Sequence, residues 1–128
     1  MAELLSQDWL DLQHRLGAGL PERPGASARL QIVVTGGPSG DVSYGQGIED
    51  GRLVRCALGI DSDAEVTLTE TWDDAVAIAS GALDANVAFM QGRVKVVGSM
   101  GALMAVMPVT QSPEYRALVA ELAAQTEV

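Results

Sequence analysis

One imidazole, His14, and one thiol, Cys56, are the only side chains here that could pair as a general base and a cysteine nucleophile. Cys56 falls in RLVRCAL, an apolar run that reads as a strand, and His14 sits beside Arg15 on an N-terminal helical pattern. Nothing in their spacing couples them. Carboxylates are more plentiful. Asp61-Ser62-Asp63 lacks the glycine and distal glutamate of a calcium loop, and Asp73-Asp74 follows Thr71 as the first turn of a capped helix, so both are expected to be solvated. The glycines of GGPSGDVSYGQG have no lysine at the place a phosphate loop requires and no helix N-terminus after them, and they read as hairpin turns. Asp84 is a conceivable acid–base candidate. A carboxyl lining an oily cavity could have a raised pKa and shuttle a proton, but helix capping explains Asp84 equally well. These residues point to no catalytic set, no metal site and no cofactor.

A denser signal runs from Gly81 to Pro108, GALDANVAFMQGRVKVVGSMGALMAVMP. Asp84 can cap a short helix whose buried side carries Val87 and Met90, with Phe89 nearby, before Gly92 ends it. Val94 and Val96 then alternate with Arg93, Lys95 and Val97, which predicts a strand of about six residues between Gly92 and Gly98. Ser99 follows as an N-cap, and Met100, Leu103, Met104 and Met107 fall at i, i+3, i+4 and i+7 of a helix that Pro108 is expected to close. A thioether side chain has three rotatable bonds and repacks readily, so this face suits apolar guests of irregular shape; it suits ordinary core packing as well.

The elements around this stretch fit in one domain. With 128 residues, 48% of them hydrophobic, the chain can bury one core but not two. Its formal net charge of −9, with no basic run, argues against a nucleic-acid partner and disfavours docking on anionic membranes. No segment reaches the roughly 18 apolar residues of a membrane span. MAELLSQDWLDLQHRL carries Glu3, Asp8 and Asp11 where a secretory signal needs a basic start, and the single cysteine permits no internal disulfide. A cytoplasmic home without stable membrane insertion is the expectation.

Leu5, Trp9, Leu12 and Leu16 behind Ser6 predict an amphipathic helix over residues 6–16, ended by Gly17, and the Pro/Gly-rich residues 17–27 read as a linker. A core over 28–124 follows. Leu30, Ile32 and Val34, then Val42, Tyr44 and Ile48, predict two strands of a hairpin; Leu53 to Leu58 is a third, and Ala64, Val66 and Leu68 mark a fourth. Short turns favour antiparallel neighbours. Thr71 caps a helix with the stripe Trp72, Ala75, Val76 and Ala79, and Ser112-Pro113-Glu114 opens a last helix carrying Tyr115, Leu118, Val119 and Leu122. The final residues are expected to fray.

Two of these runs, DAEVTLTETWDDAVAIASG from Asp63 and the Phe89, Gly92, Val94, Val96, Gly98 series on to Leu103, resemble the signature of the sterol carrier protein 2 domain. The resemblance covers about Ala28 to Leu122, with Ser99 standing where an aspartate is common. It implies an α+β fold, a five-stranded, mainly antiparallel sheet covered by helices, with an apolar tunnel between the two layers. It also implies noncatalytic binding or carrying of a sterol, fatty acid or fatty-acyl conjugate. The residues then expected to line the tunnel are Trp72, Val76, Phe89, Met90, Met100, Leu103, Met104, Met107 and Leu118, and Met104→Trp is expected to block long ligands. A lipid tail burying roughly 300 Å² would gain on the order of 7 kcal/mol before ordering costs. The acidic balance departs from basic members that shuttle lipid between membranes. Two alternatives stay open: an assembly module partnering a lipid-modifying enzyme through an exposed Leu53 or Val97 sheet face, and a small enzyme acting on a steroid or acyl substrate; a homodimer is the other partner allowed.

Overall fold

The computed structural model describes all residues, Met1 to Val128. Its frame is a five-stranded sheet built from β2 (Ala28–Gly37), β3 (Gly40–Glu49), β4 (Arg52–Leu58), β5 (Val66–Thr71) and β6 (Lys95–Gly98) in the order β4-β3-β2-β5-β6. Alternation decides its faces. Register places Ile32 beside Tyr44 and Leu68, Leu30 beside Gln46 and Val66, and Val34 beside Val42 and Glu70, so these side chains share one face. Five helices cover that face: α1 (Gln7–Gly17), α2 (Trp72–Ala79), α3 (Ala85–Met90), α4 (Met100–Thr110) and α5 (Pro113–Ala124). Each begins where a side-chain oxygen accepts from an orphan amide of the first turn: Ser6, Thr71, Asp84, Ser99 and Ser112 are the five caps.

The pairing of β2 with β5 is parallel, which short-turn reasoning did not anticipate. Residues 59–65 cause it by carrying the chain across the back of the sheet. There the Asp61 carboxylate accepts from Arg29 Nε at 2.9 Å and Nη2 at 3.0 Å, while the Asp61 amide donates to Gln31 Oε1 at 2.7 Å. Asp61 is therefore buried rather than solvated, and its pKa is lowered by the Asp63 backbone amide and by Arg29, against the opposing effect of burial. The fourth strand consequently starts at Val66, not Ala64.

Other boundaries move for local reasons. Gly17 is the last helical residue of α1 and lies against Leu53, where a Cβ would collide with that side chain; Leu53 itself is 2% exposed and forms no open sheet face. The strand before α4 has four residues, because the Gly92 and Arg93 amides turn back to Phe89 and Ala88 carbonyls. Gly98 has φ 118°, and a Cβ there would meet the Glu65 carbonyl oxygen at 2.6 Å, so only glycine fits this joint. Pro108 lies inside α4 instead of closing it. It occupies the last turn, where its missing donor removes one bond, and the Gln111 amide still reaches Met107 at 2.9 Å. The last residues do not fray: Thr126–Glu127 (β7) pairs in parallel with Ala2–Glu3 (β1), and Thr126 Oγ1 accepts from Trp9 Nε1 at 3.1 Å.

Candidate functional site

Between sheet and helices lies a cavity of about 170 Å³ whose wall is hydrophobic at 19 of 24 residues. The floor is the inward face of the sheet, with Leu30 and Ile32 from β2, Tyr44 and Gln46 from β3, and Leu68 and Glu70 from β5. Leu4, Leu5, Trp9 and Gln13 close one side. Leu5 stands at φ 65°, an unusual conformation for leucine, immediately before the Ser6 cap. The roof comes from Ile78 on α2, Phe89 on α3, Leu103, Val106 and Met107 on α4, and Tyr115 and Val119 on α5.

Of the nine residues expected at the tunnel, Phe89, Leu103 and Met107 line this cavity. The other six lie elsewhere. Met90 is 83% exposed, Met104 57% and Met100 48%, all facing solvent. The core side of α4 is instead Ala102, Val106 and Val109, a face turned by one residue from the methionine stripe, because small and branched side chains let the helix approach the sheet. Trp72 packs over Gly37, Val76 lies against the main core, and Leu118 belongs to a separate cluster with Leu20, Ala26 and Val109.

The polar residues in the wall were not singled out from the sequence, although a signal existed. Gln46 and Glu70 occupy inward phases of strands whose neighbours in phase are Tyr44, Ile48, Val66 and Leu68, and Gln13 falls one turn after Trp9. Glu70 is half-buried, and burial followed by the nearby Asp74 carboxylate pushes its pKa up to about 7. Burial raises Tyr44 well above its ordinary value and Tyr115 to about 12, so both phenols are neutral across the physiological range. Gln13 is buried with its Oε1 lacking any partner.

A cysteine nucleophile has no support from this geometry. The Cys56 thiol is pushed up to about 12, by burial first and Asp11 second, so it carries no thiolate at neutral pH. Asp84 caps α3, its Oδ1 accepting from the Asn86 amide at 2.8 Å and the Val87 amide at 3.3 Å. No group of three His, Cys, Asp or Glu side chains is placed to hold a metal ion, and no helix is long and apolar enough to cross a membrane.

A one-sided sheet roofed by helices over an apolar cavity defines a domain of the hydrophobic-ligand-binding class. The model of the SCP-2 sterol transfer family matches residues 18–111, and the chain belongs to that family. No curated protein matches it. Among solved structures, a conserved hypothetical protein from Thermus thermophilus superposes with a TM-score of 0.75 at 18% identity, covering 96% of this chain and 92% of the other. A sterol carrier protein 2 crystal structure gives 0.74 at 16% identity, covering 92% and 98%. Palmitated SCP2L2 from Aedes aegypti gives 0.60 at 22% identity, covering 80% and 89%.

Proposed function

We propose that this chain binds one hydrophobic ligand, a sterol, fatty acid or fatty-acyl conjugate, noncatalytically in the cavity between sheet and helices. The observation that carries the reading is the wall of the cavity, hydrophobic at 19 of its 24 residues. At about 170 Å³ the cavity is comparable to engineered ones that admit benzene, which hold about 150 Å³, so a whole lipid requires the roof to move outward. The element best suited to move is α3. It has only six residues, sits between Gly81 at φ 82° and Gly92 at φ 75°, and is tied to α4 by two long hydrogen bonds of 3.3 Å between Asn86 and Thr110.

The test is a titration with the neutral apolar dye Nile red, beside native mass spectrometry of the purified protein for copurified lipid. Leu103→Trp fills the cavity from its roof and is expected to weaken the dye at least about tenfold, whereas Met104→Trp, on the solvent side of the same helix, leaves it unchanged. Undiminished binding in Leu103→Trp would remove the cavity as the site.

A proton-shuttling enzyme is the second reading, favoured by the cavity position and raised pKa of Glu70. It requires conversion of a bound steroid or acyl ligand that Glu70→Gln abolishes; a ligand recovered unchanged after prolonged incubation argues for the carrier.

A further inference from the structure

We propose that the cavity reads the end group of its lipid through two buried amides, Gln13 and Gln46, and takes a neutral hydroxyl-bearing lipid such as a long-chain alcohol in preference to an ionised fatty acid. The inference rests on the cavity-binding reading above and narrows it. Gln13 is 6% exposed, lines the cavity, and its Oε1 has no hydrogen-bond partner. A buried acceptor left in that state is costly, and a ligand donor would relieve it once the amide, whose oxygen is covered, turns toward the cavity.

The second amide belongs to the same wall. Trp9 of α1 meets Tyr44 edge to face, with ring centroids 6.1 Å apart, and Gly17 lies on Leu53. α1 packs along β4, with Gln7 bonded to Cys56 and Leu58 and Gly17 on Leu53, and β4 in turn pairs with β3, Leu58 with Tyr44, Cys56 with Gln46 and Leu53 with Ile48. Gln13, midway between Trp9 and Gly17 on that helix, and Gln46, on the strand beside β4, are both buried and both belong to the cavity wall. An amide offers a carbonyl acceptor and an amino donor whichever way it is turned. A hydroxyl can answer both. A carboxylate only accepts, and it would set its charge against the amide oxygens.

A second part of the wall also disfavours an anion. Around Glu70 the ionisable groups are Asp74 of α2, Tyr44 of β3 and Tyr115 of α5, with the Cys56 thiol beyond the phenols. Arg93 is engaged with Asp74 at 3.7 Å. An ionised lipid would add a second carboxylate to a cavity that already contains Glu70, so one of the two must take up a proton.

Isothermal titration of the full chain with 1-decanol and decanoate, equal in length, tests this. Decanol is expected to bind at least about tenfold more tightly than decanoate at pH 8 and equally well at pH 6 and pH 8. Decanoate is expected to weaken about tenfold from pH 6 to pH 8, as Glu70, with a pKa of about 7, loses the shared proton, and Glu70→Gln should flatten that profile. Gln13→Leu should lower decanol affinity about tenfold and leave decanoate unchanged; Gln46→Leu should do the same and keeps the test alive if the first variant does not fold. Equal affinities at pH 8, or a decanol-to-decanoate ratio unmoved by the glutamine substitution, would overturn end-group reading while cavity binding stands. No binding of either ligand at either pH would overturn cavity binding itself, and the end-group inference with it.

Discussion

The two faces of the sheet each bury a glutamine and an acidic side chain, and they treat them in opposite ways. On the back, Gln31 donates to the Gly59 carbonyl at 2.9 Å and accepts from the Asp61 amide at 2.7 Å, and Asp61 is held by Arg29. On the front, Gln13 leaves its oxygen unpaired, and Glu70 has burial and Asp74 acting on it with no cation in opposition. The consequence shows in the carboxyls, one with its pKa lowered and the other with its pKa raised to about 7. Burial of a polar group alone therefore does not mark a binding site. Burial without satisfaction beside a cavity is what the proposed end-group site rests on, because the missing partner has somewhere to come from.

The comparison breaks most clearly at Gln31. Gln31→Leu leaves the Asp61 amide and the Gly59 carbonyl without their partner and unfastens the segment that carries the chain between β4 and β5. A loss of about 2–3 kcal/mol in chemical denaturation is expected. A loss below about 0.5 kcal/mol would mean that the back-face network is incidental to stability.

Glu70 gives the next effect, and its sign is fixed by linkage. Its folded pKa of about 7 lies above the ordinary carboxylate value, so between those two values the folded state holds a proton that the unfolded chain has released. Stability from this group is greatest below the unfolded pKa and declines as pH rises to about 7. Glu70→Gln cannot ionise, so it should exceed the parent by about 2 kcal/mol at pH 8, a figure discounted for half-burial, and match it near pH 4. Asp61 works in the other direction, its contribution being lost as pH falls through its lowered pKa. Equal denaturation midpoints for parent and Glu70→Gln at pH 8 would show that Glu70 ionises freely and would weaken the contrast between the faces.

Much of this frame was legible in the sequence, and the reasons differ by element. The five caps, the β2–β3 hairpin and the α1 stripe rest on local chemistry, which a sequence displays directly. The parallel β2–β5 pair does not, because it depends on where residues 59–65 cross the sheet, and that path is fixed by Arg29, Gln31 and Asp61 meeting across some 30 positions. On α4 the 3.6-residue period identified a helix, but Ala102 and Val106 won the core side over Met100 and Met104. An all-apolar helix does not declare which face is inward. Phe89, Leu103 and Met107 reach the cavity, while the N-terminal wall from Leu4 to Gln13 was read only as helix packing. The overlooked signal was a polar residue in an inward phase, as at Gln46 and Glu70, which a search for apolar stripes passes over.

The smallest expected effect is the sharpest test of that signal. Gln13→Leu makes the same chemical change as Gln31→Leu, at a position of nearly equal exposure, 6% against 5%. If buried glutamines were equivalent, the two variants would lose similar amounts. Gln13 has no oxygen partner to forfeit, so its replacement removes an unsatisfied acceptor and adds apolar surface to an apolar wall. The ligand-free variant should therefore be as stable as the parent or gain up to about 1 kcal/mol. Denaturation of the two variants side by side reads the difference directly. A loss at Gln13 comparable to that at Gln31 would mean that the front-face amide is already satisfied within the folded chain, and the cavity would then have no unfilled polar demand for a ligand to meet.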